Sequence, residues 1–468
     1  LALSNLLESL NNLSPERRAL LALRLKSKGA AASRVQKISR RESNDSIPLS
    51  YAQQRLWFVW KMEPTSAADN IAVALRINGP LDVQAMEQTF SEIIKRHEIL
   101  RTNFPEVDGL PTQRVAPAQP LRMPIEDLSG FDEASREAEA EKLISAEESR
   151  PFDLVNGAML RAGLIKMGEQ EHLLLLTMHH IVSDGWSMGI LVREVGTLYD
   201  AFTKGNPSPL PELPVQYADY SIWQRAQLSG AALDAQLDYW KQQLAGASPT
   251  LELPTDHARP AVPTSRGRAI NFVLPSSVTE AVRELSRTER TTLFMTLMAA
   301  FKVLLHRYTG QADIVVGTPY ANRNHEELEG LIGVFLNTLV MRTDVSGNPG
   351  FRELLGRVKK VAVEAYAHQD VPFEKLVEVL KPDRNLSRTP LFQVMFAFHN
   401  WEQESLELTE LDERSIRREA TTAKYDLTLE MTEYAGNILG MLQYKSDLFD
   451  ESTMARMVEH FQRLVESA

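Results

Sequence analysis

The chain has 468 residues, 43% of them hydrophobic, a formal net charge of −11 and no cysteine. That length can bury a large core, in two domains by size, and the acidic balance argues against a general nucleic-acid binder. Without cysteine there is no disulfide, thiolate metal site or cysteine nucleophile; with no apolar run of membrane-spanning length and no signal-peptide pattern, the chain reads as cytoplasmic with no membrane partner.

The charge is uneven. Residues 1–41 hold nine Lys or Arg and two Glu, a net of +7 that leaves −18 for the remainder. Leu3, Leu6, Leu7, Leu10 and Leu13 recur at helical spacing, and Ser14-Pro15-Glu16 opens a second helical stretch to Leu25. Lys28 to Asp45 is small, polar and basic, the composition of a tether. Residues 1–46 are therefore expected to be a basic helix and linker, with the globular boundary near Ile47. Such a start is consistent with a domain excised from a longer protein.

Leu49-Ser50-Tyr51-Ala52-Gln53-Gln54-Arg55-Leu56-Trp57-Phe58 follows, with Trp57 and Phe58 expected in the core. Val73, Leu75 and Ile77 share one face of a strand; Gly79 to Asp82 turns into a helix carrying Val83, Met86, Phe90, Ile93 and Ile94 on one side. The charge cluster from Arg96-His97-Glu98 to Arg101 reads as a buried structural network. Residues 105–172 are less informative, apart from a loop at Phe152-Asp153-Leu154 that feeds a strand near Met159 to Ile165.

The chain is organised around Leu173 to Ser187. Leu173 to Met178 reads as a strand buried on both faces, ending at His179-His180. Asp184-Gly185 supplies a turn, and Leu191, Val192, Val195, Leu198 and Tyr199 mark a helix. Neighbours on a strand point to opposite faces, so one histidine faces a cleft and the other the protein body. Adjacent strand histidines converge poorly, so no metal is expected. The residues leave a core histidine pair, a polar anchor and a general base as readings, with Asp184 bracing the loop.

Asn206 to Gln216 and Leu253 to Thr264 are proline-rich connectors, and between them a pattern through Leu237, Trp240 and Leu244 bridges to a second half. Arg266-Gly267-Arg268 precedes a strand, Ala269 to Leu274, then helices at Ser277–Thr288 and Leu293–Tyr308; this order echoes Val73 to Ile94. Ile314 to Gly317 is a short buried strand. Asn337, inside the apolar run from Ile332, is either a structural bridge or a substrate-facing group.

His179-His180-Ile181-Val182-Ser183-Asp184-Gly185-Trp186-Ser187 resembles the core motif of condensation domains in non-ribosomal peptide synthetases, which are related to chloramphenicol acetyltransferase. Leu49 to Phe58, Arg96 to Phe104, Tyr217 to Trp223, Ile332 to Thr338, His368 to Glu374 and Arg384 to Phe396 resemble its other motifs, in order, over residues 47–400. The resemblance implies an α/β fold of two acetyltransferase-like lobes in a V-shaped pseudo-dimer, expected here at 47–225 and 226–468. It implies amide formation between a donor and an acceptor thioester, each on the phosphopantetheine arm of a carrier domain, with no cofactor bound by this chain. Upstream and downstream carrier domains and an adjacent adenylation domain are the implied partners. His180 is the implied base or positioning group, Gly185 the implied oxyanion donor, and Asp184 a brace paired with an arginine of the other lobe. Arg266 is the candidate for that arginine, Arg268 the second choice; His179, Trp186 and Ser187 support the loop, and Asn337 leans toward a functional role. The intact histidines argue against a heterocyclisation domain. The flanking motifs favour an L-donor, L-acceptor enzyme over an epimerisation domain or a non-catalytic recruiting domain.

Overall fold

The computed structural model describes residues 37–45, 47–248, 250–261, 264–382, 387–399, 412–415 and 422–468. The basic helical stretch expected over 1–25, the start of the tether, Val262 and Pro263 of the second connector, and Arg384 to Leu386 of the last motif lie outside these residues.

The first half is built on strands β1 (Asn70–Asn78), β2 (Ile125–Asp127), β3 (Leu160–Lys166) and β4 (Glu171–His179). Its helices are α1 (Tyr51–Met62), α2 (Val83–Arg96), α3 (Glu133–Glu148), α4 (Gly185–Thr203) and α5 (Tyr217–Gln227). The second half carries β5 (Gly267–Leu274), β6 (Asp313–Tyr320), β7 (Asn337–Asp344), β8 (Val394–His399), β9 (Asp412–Ser415), β10 (Leu427–Tyr434) and β11 (Asn437–Lys445). With them come α6 (Gly230–Leu244), α7 (Ser276–Thr288), α8 (Leu293–Thr309), α9 (Phe351–Ala367), α10 (Phe373–Leu380) and α11 (Glu451–Ser467).

Each half has one mixed sheet. The second runs β7-β6-β8-β10-β11-β5; the first runs β9-β1-β4-β3-β2, so its edge is closed by a strand lent from the second half. β4 is the apolar run of the sequence. Leu174, Leu176 and Met178 pack with α2 and α4, while Leu173 and Leu175 face α3, so both faces are covered. The second half has its own core, with Leu237 and Trp240 of α6, Phe301 of α8 and Phe461 of α11.

The two halves repeat one device. β1 pairs antiparallel with β4 so that Asn70 lies opposite His179; β5 pairs antiparallel with β11 so that Gly267 lies opposite Lys445. After each of these closing strands come five residues, then a helix whose N-cap is an aspartate, Asp184 before α4 and Asp450 before α11.

Three expectations change. Residues 37–45 are not a free tether: Ile38 is buried, and Arg41 donates to Asp219 at 2.9 Å and to Glu98 at 2.5 Å. Phe58 is 48% exposed, because the buried stripe of α1 runs through Gln53, Leu56 and Trp57. The irregular segment 321–336 leaves its own half, and Leu328, Leu331, Ile332, Val334 and Phe335 pack into the core of the first.

Candidate active site

Chain geometry fixes the histidine loop at both ends. His179 closes β4 and is buried; its Nδ1 accepts the Ile181 amide at 3.1 Å, and its ring meets Phe152 edge-on. His180 opens a short 3-10 turn, and its amide donates to the carbonyl of Asp69 at 2.8 Å. His179 is thus the last strand residue and His180 the first of the turn, and the two rings differ in burial. His180 is half-buried, and among the described residues its sealed Nδ1 has no hydrogen-bond partner. Burial pulls the pKa of both histidines down to about 4, with Lys424 lowering and Asp69 raising that of His180. At neutral pH both rings are uncharged.

Asp184 is the N-cap of α4 rather than part of a free turn, and Gly185 is the helix's exposed first residue. One carboxylate oxygen of Asp184 accepts the Ser187 amide at 2.9 Å and the Ser187 hydroxyl at 2.7 Å; the other accepts the Phe335 amide at 2.9 Å. The Ser187 oxygen also accepts the Gly333 amide at 3.0 Å and lies 2.8 Å from the Gly333 carbonyl. Trp186 donates to the Glu329 carbonyl at 3.3 Å. Asp184, Trp186 and Ser187 thus tie the histidine loop to the segment lent by the second half.

The arginine that answers Asp184 is Arg323, at 3.3 Å with both side chains 2% exposed. It also donates to Ser187 and to the carbonyls of Leu328 and Leu331, and its guanidinium lies 4.1 Å from the Phe335 ring centre. Burial lowers its pKa while Asp184 opposes that shift. Arg266 and Arg268 do not fill this role. They lie on the surface, paired with Asp447 and Glu451 of their own half. The signal that could have found Arg323 is its place ahead of Leu331 to Phe335, a run too apolar for a surface loop.

Asn337 is a bridge and is not substrate-facing. Its amide nitrogen donates to the carbonyls of Gln369 and Val371, and its oxygen accepts the Thr338 and Phe373 amides, all within 3.0 Å. Every strong hydrogen-bonding site is spent on holding the entry to α10. His97 is likewise structural, buried against Glu194 at 2.8 Å.

Gln53 of the first motif completes the capping box of α1 with Ser50 and reaches the Ile181 carbonyl at 3.4 Å. Two further ion pairs cross between the halves near the loop: Asp69 with Lys424 at 2.6 Å, and Arg55 with Glu374 at 3.0 Å. Neither pair stands out in the sequence. No group of three or more His, Asp or Glu among the described residues is arranged to hold a metal, and no described helix is long and apolar enough to cross a membrane.

This arrangement offers one neutral imidazole beside a helix N-terminus, on a loop braced from the opposite half. Comparison with known proteins gives it a family. A sequence profile described as "Condensation domain" matches residues 43–468. A linear gramicidin synthase from Brevibacillus parabrevis is 49% identical over 434 residues, 92% of this chain and 8% of that protein. Phosphinothricin tripeptide synthetase PhsC of Streptomyces viridochromogenes is 40% identical over 459 residues, 97% of this chain and 42% of that protein. The chain therefore spans less than half the length of these synthetases. Among solved structures, the X-domain from teicoplanin biosynthesis superposes with a TM-score of 0.84 at 30% identity, covering 92% of this chain and 97% of that one. The first condensation domain of the CDA synthetase, 20% identical with a TM-score of 0.71, covers 90% of this chain and 97% of its own; it has the two-lobed, V-shaped fold expected here. The chain belongs to the condensation-domain family of non-ribosomal peptide synthetases.

Proposed function

We propose that this chain forms an amide bond between two acyl groups held as thioesters on the phosphopantetheine arms of separate carrier domains, an upstream donor and a downstream acceptor. The acceptor amine attacks the donor carbonyl, the C–N bond forms, the C–S bond breaks, and a thiol leaves with a proton released from nitrogen. The chain binds no cofactor of its own in this reading, and an adenylation domain loads the acceptor carrier.

One observation carries the assignment. His180 is the single neutral imidazole presented from the loop that Asp184, Ser187 and Arg323 tie to both halves. Its lone pair can accept a hydrogen bond from the attacking amine and hold it in line. With a pKa near 4 the ring is a weak base, and no carboxylate orients its Nδ1, which favours positioning over full proton transfer. The exposed backbone of Gly185, at the positive end of α4, is assigned to the developing oxyanion.

The test is product formation from loaded donor and acceptor carriers, read by mass spectrometry of the acceptor. His180→Ala is expected to lose about 10²-fold or more of the rate with its melting curve unchanged. Full activity in that variant would remove the assignment. An L-configured donor is expected to outpace its D-form; the reverse order would overturn the subtype.

A second reading has one observation behind it. A solved complex joins the teicoplanin X-domain to OxyB, and that domain aligns with this chain at 30% identity. A recruiting domain of that kind would bind a partner enzyme and give no amide product in the same assay. The intact His-His-x-x-x-Asp-Gly motif favours the catalytic reading.

A further inference from the structure

Asp69 lies one residue before β1, at the point where the histidine loop leaves β4. Its carbonyl accepts the His180 amide, while its carboxylate, 13% exposed, takes the ammonium of Lys424 at 2.6 Å. Lys424 belongs to the second half, just before β10. The chain thus brings one charge from each half to the residue that anchors the reacting imidazole. Burial works against the Asp69 carboxylate, but Lys424, helped by the two histidines, holds it below its usual range. Further charges near this loop among the described residues are the Asp184–Arg323 pair, Arg55 of α1, itself paired with Glu374 of α10, and Arg161 of β3, paired with Glu147.

We propose that Asp69 and Lys424 are positioning residues for His180: the Asp69 backbone sets where the loop turns, and Lys424 offsets the Asp69 charge, which alone would draw a proton onto the imidazole at mildly acid pH. The inference rests on His180 being the reacting group, but its test does not. An unbalanced carboxylate beside the ring would stabilise the imidazolium, whereas an unbalanced ammonium would oppose it. The two halves therefore adjust jointly where on the acid side the ring takes up its proton.

The experiment is a histidine-resolved NMR titration of the full chain, with the His180 signal assigned by its loss in His180→Ala. Lys424→Met is expected to raise the His180 titration midpoint by about half a unit to one unit. Lys424→Arg is expected to leave it in place, and Asp69→Asn to move it down. In the carrier assay the acid limb of the rate profile moves up in Lys424→Met while the plateau above pH 7 stays. A merely structural pair would lower the plateau and leave the limb where it was. Midpoints that stay fixed in all three variants, or that move the same way in Lys424→Met and Asp69→Asn, overturn the proposal. Activity retained in His180→Ala would instead overturn the catalytic assignment and leave the titration result standing.

Discussion

Asp184 spends both carboxylate oxygens on the protein itself. It accepts two bonds from Ser187 and one from Phe335, and it pairs with a buried arginine. Removing it leaves Arg323 charged, dry and unpaired, an outcome that costs about 3–5 kcal/mol in comparable sites. Asp184→Ala is expected to melt well below the wild type and to express poorly; an undisturbed thermal transition would refute the brace. His179 gives a pH effect of definite sign. Its folded pKa of about 4 lies below the ordinary value of 6.5, so between these values the unfolded chain holds a proton that the folded chain refuses. Its contribution to stability is complete above pH 6.5 and is lost as pH falls toward 4. By pH 5 the loss amounts to about 2 kcal/mol. Denaturant midpoints at pH 7 and pH 5 should show it, and His179→Asn should reduce the difference by that share while leaving the like share of His180. The roles of these residues are legible in the sequence because the strand-to-helix pattern is local. The pairing of Asp184 with Arg323 is not, since the partner stands 139 residues away and only the apolar run that follows it sets that arginine apart.

At the scale of elements, β4 is legible because burial on both faces makes it apolar throughout, and the helices because their buried residues recur at helical spacing. β4, α4, α7 and α8 form where their spacing indicates. α3 has no such signal: only Ala140 and Ile144 are buried along its sixteen residues, so it carries almost no stripe. Arg266, the arginine expected to answer Asp184, has a different place in the fold. Its carbonyl accepts the Ser446 amide as that of Asp69 accepts the His180 amide, so Arg266 occupies the matching place in the other half. α8 carries a further buried charge. Lys302 is fully buried, and its ammonium donates to the Met341 and Ile314 carbonyls and the Thr343 hydroxyl. Burial lowers its pKa from 10.5 to about 7, with distant Asp313 opposing. Between those values the unfolded chain binds the extra proton, so stability rises with pH. Melting temperature is expected to climb from pH 7 toward pH 9.5, and Lys302→Met should level that slope. A wild-type profile already flat over this range would count against the lowered pKa and show that Lys302 keeps its proton in the core.

Across the whole molecule, the segment 321–336 joins the halves by placing Leu328, Leu331, Ile332, Val334 and Phe335 in the core of the first. Gly333 lies so close to the Tyr217 ring that an added Cβ would fall 2.1 Å from it, and that neighbour is wedged in the core. Tyr217 in turn donates to the Val334 carbonyl at 2.6 Å and bonds Ser50 at 2.8 Å. Gly333→Ala should therefore cost about 1–3 kcal/mol through overpacking and displace the Ser187 contacts, lowering melting temperature and turnover together. A variant with unchanged melting would show that the segment can slide. Arg323 also has a kinetic consequence. Since it reaches Asp184 from the same polypeptide, its local concentration is set by the linking chain and not by how much protein is in solution. A site completed by a second copy would fall apart on dilution; this one is expected to keep constant specific activity down to nanomolar enzyme, one working centre to each chain.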